Sequence, residues 1–470
     1  MVAIAGNCRR NVKMRESDLR PDPIGSTTDC ESYGLNWPGK SSARRKAFAS
    51  SGESFIPCRG ESVSFDSTRN IFIEGDNLDA LRLLRVSHAG TIKMIYIDPP
   101  YNTGQDLIYR DDFSVNSKSY RSQINSNGSV DAPEHSENDG RFHSDWLSMM
   151  YPRLLLAREL LRNDGVIFIS IDDNEAAQLR LLCDEVFGQA CFVNQIVVKS
   201  SEASGVKMSH VEKRLPKIKE YILVYSRTPG GCRFEPVEVP KQSIDAYLKY
   251  YRSFIENPEK PPEKWRIVSA LDAMRTRGLE TDEDSVRSFK LANADRVVYR
   301  TNNAMLAAAR FETKTAEVVS SRGTRYVWWE GKQMLFLSDY LTESLCDLWT
   351  DISTINLNKE MLGLPAFTKG QKPLALLERC LKMVCSRTDE AIAMDFFAGS
   401  GSFGHAAMRV MTEGYKVGFI LVQQREPCSL EGFDTIADLA RERLRRAGEN
   451  ISAGPQSDAV DTGFRVLKIK

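Results

Sequence analysis

The feature that most restricts how this chain can fold is a recurrence of strand-length apolar runs, each closed by a turn-forming or polar residue and followed by a helical repeat. Asn70-Ile-Phe-Ile-Glu74 runs into Gly75-Asp76-Asn77 and then into Leu78, Leu81, Leu83 and Leu84, which suit an amphipathic helix. Lys93-Met-Ile-Tyr-Ile-Asp98 is a second strand, and Leu147 to Leu161 is a helix with one apolar face. Val166-Ile-Phe-Ile-Ser-Ile171 is a third strand, after which Asp172, Asp173 or Asn174 is placed to cap a helix. The alternation returns late in the chain with a helix across Pro373 to Val384, a strand from Ala391 to Phe397, a Gly-rich turn, a helix from about Gly404 and the strand Val417-Gly-Phe-Ile-Leu-Val422. Strands that are apolar on both faces need helices on both faces. The pattern therefore predicts an α/β fold with a doubly wound, mostly parallel sheet.

Between about 193 and 345 the rhythm is lost, and mixed charge, the Pro-rich Asn257-Pro-Glu-Lys-Pro-Pro262 and the pair Trp328-Trp329 take its place. That stretch is expected to be a domain inserted into the sheet domain. The organisation expected is a loosely ordered N-terminal arm over 1–67, one half of the sheet domain over 68–192, the insert over 193–345, the other half over 346–450 and a tail over 451–470. A chain of 470 residues suits two or three such cores.

Lys plus Arg and Asp plus Glu balance at 63 each, which argues against coating nucleic acid by bulk charge but leaves room for local basic faces. No stretch approaches the roughly 18 apolar residues of a membrane span, and Met1 to Arg20 lacks the apolar core of a secretion signal, so a cytoplasmic protein is expected. The ten cysteines form no Cys-x-x-Cys pair and are expected as free thiols, and the five histidines show no paired spacing that would suggest a metal site.

Two motifs carry chemistry. Asp98-Pro99-Pro100-Tyr101 closes a predicted strand at its carboxyl end, where open α/β sheets place reactive groups. A Pro-Pro pair alone reads as a turn. Here the residues match a chemical need: an adenine amino nitrogen is a poor nucleophile because its lone pair is delocalised into the ring, and two acceptors for its N–H bonds return electron density to it. Asp98 supplies one acceptor and the Pro99 carbonyl the other, Pro100 fixes the carbonyl's direction through its locked φ, and Tyr101 stacks on the base.

The second motif, Asp395-Phe-Phe-Ala-Gly399-Ser-Gly401-Ser-Phe-Gly404, follows an apolar strand and precedes a helix, with Glu426 at the end of the next strand. Glycines admit a nucleotide-sized ligand, and the acidic residue can hold ribose hydroxyls. NAD and S-adenosylmethionine share that requirement, but a hydride-transfer enzyme has no use for Asp-Pro-Pro-Tyr, whereas an amino-methylating one does. Gly34-Leu-Asn-Trp-Pro-Gly39-Lys40-Ser41 also fits the P-loop pattern. No apolar strand leads into it and Pro38 lacks an N–H donor, so it is set aside as a phosphate cradle.

With these residues the chain resembles the modification subunits of type III restriction-modification systems, adenine methyltransferases in which Asp-Pro-Pro-Tyr precedes the cofactor loop. The resemblance runs from about Gly34 to Asn450. It is carried by Leu35-Asn-Trp-Pro-Gly-Lys40, Ile73-Glu-Gly-Asp-Asn-Leu78, Tyr96-Ile-Asp-Pro-Pro-Tyr-Asn-Thr-Gly104, Gly140-Arg-Phe-His-Ser-Asp-Trp146, Met149-Met-Tyr-Pro-Arg-Leu154, Ile167-Phe-Ile-Ser-Ile-Asp-Asp-Asn-Glu175 and Ile436 through Ala447. It implies a Rossmann-like methyltransferase core with an inserted target-recognition domain, S-adenosylmethionine as cofactor and double-stranded DNA as substrate. It also implies a homodimer and a separate helicase-nuclease restriction subunit. Residue by residue, it implies catalysis by Asp98, Pro99, Pro100 and Tyr101, cofactor contacts at Asp395, Phe397, Gly399 and Gly401, Glu426 on the ribose and Asp76 near the cofactor adenine. Lys372-Pro373, after Phe367-Thr368, corresponds to the segment that packs on the methionine part. The chain departs from the family at Phe403, where a small Thr is usual, and at Gln424-Arg425, where Leu-Pro is usual; a bulky Phe403 is expected to narrow the cofactor pocket.

Target recognition is expected in the insert. Lys207, Lys213, Arg214, Lys217 and Lys219 suit phosphates or a solvated face, and Arg275 and Arg277, or Arg322 and Arg325 beside Trp328, suit base edges. The polar stretch Ser114 to Asn138 reads as a loop beside the active site. Two other readings stay open: amino-methylation of cytosine, which more often goes with Ser before Pro-Pro-Tyr, and a DNA-binding specificity protein whose methyltransferase site has decayed.

Overall fold

The computed structural model describes residues 34–50, 52–103, 140–201, 215–302, 315–319, 325–329, 332–354, 357–365, 371–454 and 460–470. Ten strands form one large sheet, in the spatial order Phe55–Pro57, Arg465–Ile469, Ile71–Glu74, Val417–Gln423, Ala391–Asp395, Ile92–Ile97, Leu161–Ile171, Lys219–Ser226, Phe192–Lys199 and Leu348–Trp349. The strands from Arg465–Ile469 through Leu161–Ile171 are mutually parallel, and Lys219–Ser226 runs antiparallel to both its neighbours. This is the doubly wound, mostly parallel α/β fold that the apolar runs predict, and the Rossmann-like core that the resemblance implies.

Alternation along the strands feeds two cores. Met94, Tyr96, Val166 and Phe168 join a buried cluster with Leu377, Cys380 and Phe403, under the helices Leu374–Val384, Ser402–Thr412 and Ile436–Ser452. Ile95, Ile97, Ile167 and Ile169, equally buried, point to the opposite face. The helices Asn77–His88, Gly140–Leu160 and Ala176–Phe187 pack against one another in sequence.

The connections fix where a site can form. From Ala391–Asp395 the chain crosses through Ser402–Thr412 to Val417–Gln423 on one side, and from Ile92–Ile97 it crosses through Gly140–Leu160 to Leu161–Ile171 on the other. The crossovers leave in opposite directions, so a crevice opens beyond the carboxyl ends of these two neighbouring strands.

Several boundaries differ from those read in the sequence. Within the stretch expected to be the insert, Phe192–Lys199 and Lys219–Ser226 extend the large sheet as an antiparallel pair. A separate six-stranded antiparallel sheet is built entirely from residues between 253 and 336, with its own core of Phe254, Met274, Phe289 and Val297. The expected tail contains Arg465–Ile469, which inserts between Phe55–Pro57 and Ile71–Glu74. Within the expected N-terminal arm, the helix Lys40–Phe48 buries Ala43 and Ala47 and packs on Gly140–Leu160. Trp37, 6% exposed, donates its indole N–H to Ser148 Oγ at 2.9 Å, so the P-loop-like segment serves to dock this helix. The helix after Ile171 has Glu175 at its N-cap without a side-chain capping bond, because Asp172 instead accepts from the backbone N–H of Asn174. No helix among the described residues is long and apolar enough to cross a membrane.

Candidate active site

Asp98 follows directly on the buried Ile92–Ile97 strand, and the loop after it is tethered at two points. The Trp146 indole N–H donates to the Pro100 carbonyl at 2.7 Å, from the buried face of the Gly140–Leu160 helix. Asn102 takes a positive φ of 55°, a conformation that asparagine tolerates better than most residues, and its amide donates to Glu175 Oε1 at 2.5 Å. His143 Nδ1 lies 2.7 Å from the same oxygen. The Pro100 carbonyl is thus engaged, while no donor among the described residues is directed at the Pro99 carbonyl.

Three polar side chains, Lys372, Glu220 and Tyr101, meet beside Asp98. Lys372 Nζ lies 3.2 Å from Asp98 Oδ1 and 2.7 Å from Glu220 Oε2. It also donates to the Tyr101 hydroxyl oxygen at 2.5 Å, and Tyr101 in turn donates to Glu220 Oε2 at 3.0 Å. Asp98 Oδ1 is buried and within ion-pair reach of Lys372, but the contact lacks good hydrogen-bond geometry; Lys372 and Tyr101 act on the carboxylate only as secondary hydrogen-bonding neighbours, weaker than its burial and the two nearby charges. Burial raises the Asp98 pKa, the Lys372 charge opposes that rise, and the Glu220 charge adds to it. For Lys372, burial disfavours the charge, but Asp98 and Glu220 outweigh it and hold the ammonium above its ordinary pKa. Glu220 ends below its ordinary value because Lys372 overrides the cost of burial. Burial, with Asp98 and Glu220 nearby, pushes the Tyr101 hydroxyl well up, so it is a neutral hydrogen-bond donor.

On the adjacent strand, Asp395 sits one step across the sheet, since Met394 is in register with Ile95. Its carboxylate accepts the Phe397 backbone N–H at 2.9 Å, yet burial, aided by the Asp98 charge, pushes its pKa up to about 8. The loop then turns through Gly399 at φ 53° and Gly401 at φ 79°, the N-cap of Ser402–Thr412. Glycine is favoured at Gly401 by its left-handed φ, and a Cβ there would also crowd the Ala440 carbonyl oxygen of the Ile436–Ser452 helix at 3.2 Å. Gly399 N–H donates to Gln423 Oε1 at 2.7 Å. From beneath, the fully buried Arg443 donates to Ser400 Oγ at 3.0 Å and Ser402 Oγ at 2.7 Å. Burial lowers this guanidinium to about 10, with Glu360 opposing the shift.

Asp76 caps the Asn77–His88 helix, accepting from Leu78 N–H at 2.7 Å, and lies 3.6 Å from Arg153. Glu426 is partly buried just past Val417–Gln423, and burial raises its pKa. The described positions expected from the sequence therefore gather at the carboxyl edge of the sheet. Phe403, expected to narrow the cofactor pocket, is instead 1% exposed and stacks on Tyr96 in the core, with ring centroids 5.9 Å apart.

The expected basic contacts divide. Lys219 pairs with Asp173, Lys217 reaches Asn174, Arg275 pairs with the exposed Asp272, and Arg277 donates to the Ala273 carbonyl. Lys207, Lys213, Arg214, Arg322, the side chain of Arg325, Phe367-Thr368 and the Ser114 to Asn138 loop lie outside the described residues. Glu220, Trp146 and Glu175 were not singled out as site residues in the sequence. For Glu220 the available signal was an acid at the head of the apolar run Tyr221-Ile-Leu-Val-Tyr225. That signal becomes legible only when antiparallel pairing of Tyr221 with Ile171 brings the head of the run to the carboxyl edge.

A protein-family model described as DNA methylase matches residues 92–424. The chain is 31% identical over 452 residues to the type III restriction-modification enzyme StyLTI Mod subunit of Salmonella typhimurium, covering 92% of this chain and 65% of that protein, so it spans just under two thirds of that relative's length. It is 28% identical to the type III EcoPI Mod subunit of Escherichia phage P1, over 93% of this chain and 71% of that protein. Against the type II methyltransferase M.KpnI of Klebsiella pneumoniae the identity is 28%, over 82% of this chain and 89% of that protein.

Proposed function

The chain belongs to the DNA methylase family, and from that footing we propose that it transfers a methyl group from S-adenosylmethionine to the exocyclic amino group of a specific adenine in duplex DNA. One observation supports this reading above the rest: Asp98 and Asp395 close two neighbouring parallel strands on either side of the point where the sheet's winding reverses. An acceptor site for a base and a binding site for a methyl donor then lie side by side.

The residues on the donor side suit an adenosyl sulfonium. Asp395, whose pKa burial raises, would be drawn into its ionised form by a cation beside it, the turn through Gly399 and Gly401 carries no side chain at those two positions, and Glu426 suits a ribose diol. Phe397 and Asp76 complete the adenosine side, and Lys372-Pro373 the methionine side. When bound, the cofactor supplies an electrophilic methyl group on sulfur. Asp98 Oδ1 accepts one N–H of the target amino group, the Pro99 carbonyl accepts the other, and Tyr101 stacks on the base. Asp98 acts as acceptor, with no covalent intermediate. Aligning two ligands supplies roughly 7–11 kcal/mol, which outweighs the few kcal/mol, on the order of one base pair's stacking, that extruding the base requires.

The domain around the six-stranded sheet is the proposed target-recognition module. The Salmonella and phage relatives are named as Mod subunits of type III restriction-modification enzymes, and we assign the same place to this chain: the modification component, dimeric and working beside a helicase-nuclease subunit. The test is incubation of the purified protein with labelled S-adenosylmethionine and unmethylated genomic DNA, followed by nucleoside analysis and single-molecule sequencing. N6-methyladenine in one short motif supports the proposal. N4-methylcytosine would replace the base assignment, and cofactor binding without any transfer would favour the decayed, DNA-binding reading.

A further inference from the structure

The geometry points to Glu220 as a positioning residue of this site: its carboxylate draws the Lys372 ammonium and the Tyr101 hydroxyl to one side and so keeps an oxygen of Asp98 open to the target amino group. The inference rests on the methyl-transfer reading of the site.

An amino-group acceptor must be ionised, but a cation closely bound to it withdraws the electron density it would give. Lys372 carries such a cation beside Asp98, and the two distances show how it is divided: 2.7 Å to Glu220 Oε2 against a longer, poorly aligned 3.2 Å to Asp98 Oδ1. Tyr101 is bound on the same side, donating to the same Glu220 oxygen at 3.0 Å, which fixes the ring proposed to stack on the base. Glu220 can do this because Lys219–Ser226 runs antiparallel to Leu161–Ile171, so that its first residues arrive at the carboxyl edge of the parallel strands. A strand in the parallel sense would bring its other end there.

Removing the Glu220 charge leaves Lys372 with Asp98 as its carboxylate partner among the described residues. The ammonium then closes on Asp98. The groups acting on Asp98 are Lys372, Glu220, Tyr101, Tyr96 and Asp395. Losing Glu220 repulsion and gaining Lys372 attraction both favour the ionised carboxylate. The variant should therefore be slower while its carboxylate titrates at lower pH, a combination that mere loosening of the fold does not produce.

The experiment measures methyl transfer to duplex DNA as a function of pH for wild type, Glu220→Gln and Glu220→Asp, with thermal melting as the folding control. Glu220→Gln is expected to lose kcat by about tenfold with KM for DNA little changed, and to move the acid limb of the kcat profile down by about one pH unit. Glu220→Asp, which keeps the charge but shortens its reach, should fall between the two in both measures. If Glu220→Gln does not fold, Glu220→Asp is read alone against wild type, and an unmoved limb overturns the assignment. Wild-type kcat in Glu220→Gln, or a slower variant whose limb has not moved, likewise overturns it. Absence of any transfer by the wild-type protein would instead overturn the underlying reading, and is distinguishable because it involves no variant.

Discussion

The ammonium nitrogen of Lys372 stands 3.2 Å from Oδ1 of Asp98, joining the two halves of the sheet domain across the crevice between them. Asp98 is the only one of the pair that the proposed chemistry needs as an acceptor. Replacing it should therefore remove catalysis while leaving the donor side in place. Asp98→Ala is expected to lose methyl transfer by about a hundredfold or more, with S-adenosylmethionine binding retained in equilibrium dialysis. Turnover at the wild-type rate would refute the assignment.

Trp146 fixes the direction of the same loop by donating to the Pro100 carbonyl at 2.7 Å. Trp146→Phe keeps the ring's apolar bulk and removes the donor. The expected cost is about 1–2 kcal/mol of stability, seen in denaturant melts, together with a fall in kcat that exceeds any change in cofactor affinity. Unchanged kcat at reduced stability would show that the tether serves the fold alone.

Gly401 occupies φ 79° with the Ala440 carbonyl close by. Gly401→Ala should cost about 1–2 kcal/mol for the left-handed conformation alone, and shift the loop on the donor side. Calorimetry is expected to show weaker cofactor binding, whereas DNA binding measured without cofactor should be preserved. Equal loss of both would place the damage in the whole fold.

Asp395, with its pKa at about 8, gives stability a defined dependence on pH. Its folded value lies above the unfolded one, so the folded state binds the proton more tightly. The associated stability is fully present below the unfolded carboxylate range near pH 4 and is lost as pH rises through about 8. Asp395→Asn lacks this titration. The melting temperature of wild type relative to Asp395→Asn should therefore fall between roughly pH 5 and pH 9; a constant difference would mean that the carboxyl is not held protonated by burial.

Much of this arrangement was legible because its signals are local. The runs ending at Asp98 and Asp395 identify themselves as strands by composition, and the turn through Gly399 and Gly401 by residue type. What escaped notice depends on pairing between distant segments. The place of Glu220 in the site, and the approach of the already expected Lys372 to Asp98, arise only because one strand runs antiparallel and one helix starts beside it, and neither direction nor adjacency is written in a run of apolar residues. The boundary expected at 193 falls where the alternation with helices stops in the sequence, but the large sheet continues there as an antiparallel pair of strands. Phe403 was read against a family pattern, and its burial on Tyr96 answers to core packing instead.

The insertion of Arg465–Ile469 between Phe55–Pro57 and Ile71–Glu74 has a consequence for how the chain is made. During synthesis, Ile71–Glu74 emerges almost four hundred residues before the partner that covers one of its edges, in a chain of 470. Its other neighbour, Val417–Gln423, is also late. For most of translation, at about 5–20 residues per second, an apolar strand is thus available with both hydrogen-bonding edges open, the kind of surface that pairs with other chains. Expression yield should accordingly be most sensitive to conditions that protect nascent chains, and truncations that remove Arg465–Ile469 should aggregate even though every residue of the proposed catalytic and cofactor-binding set is still present.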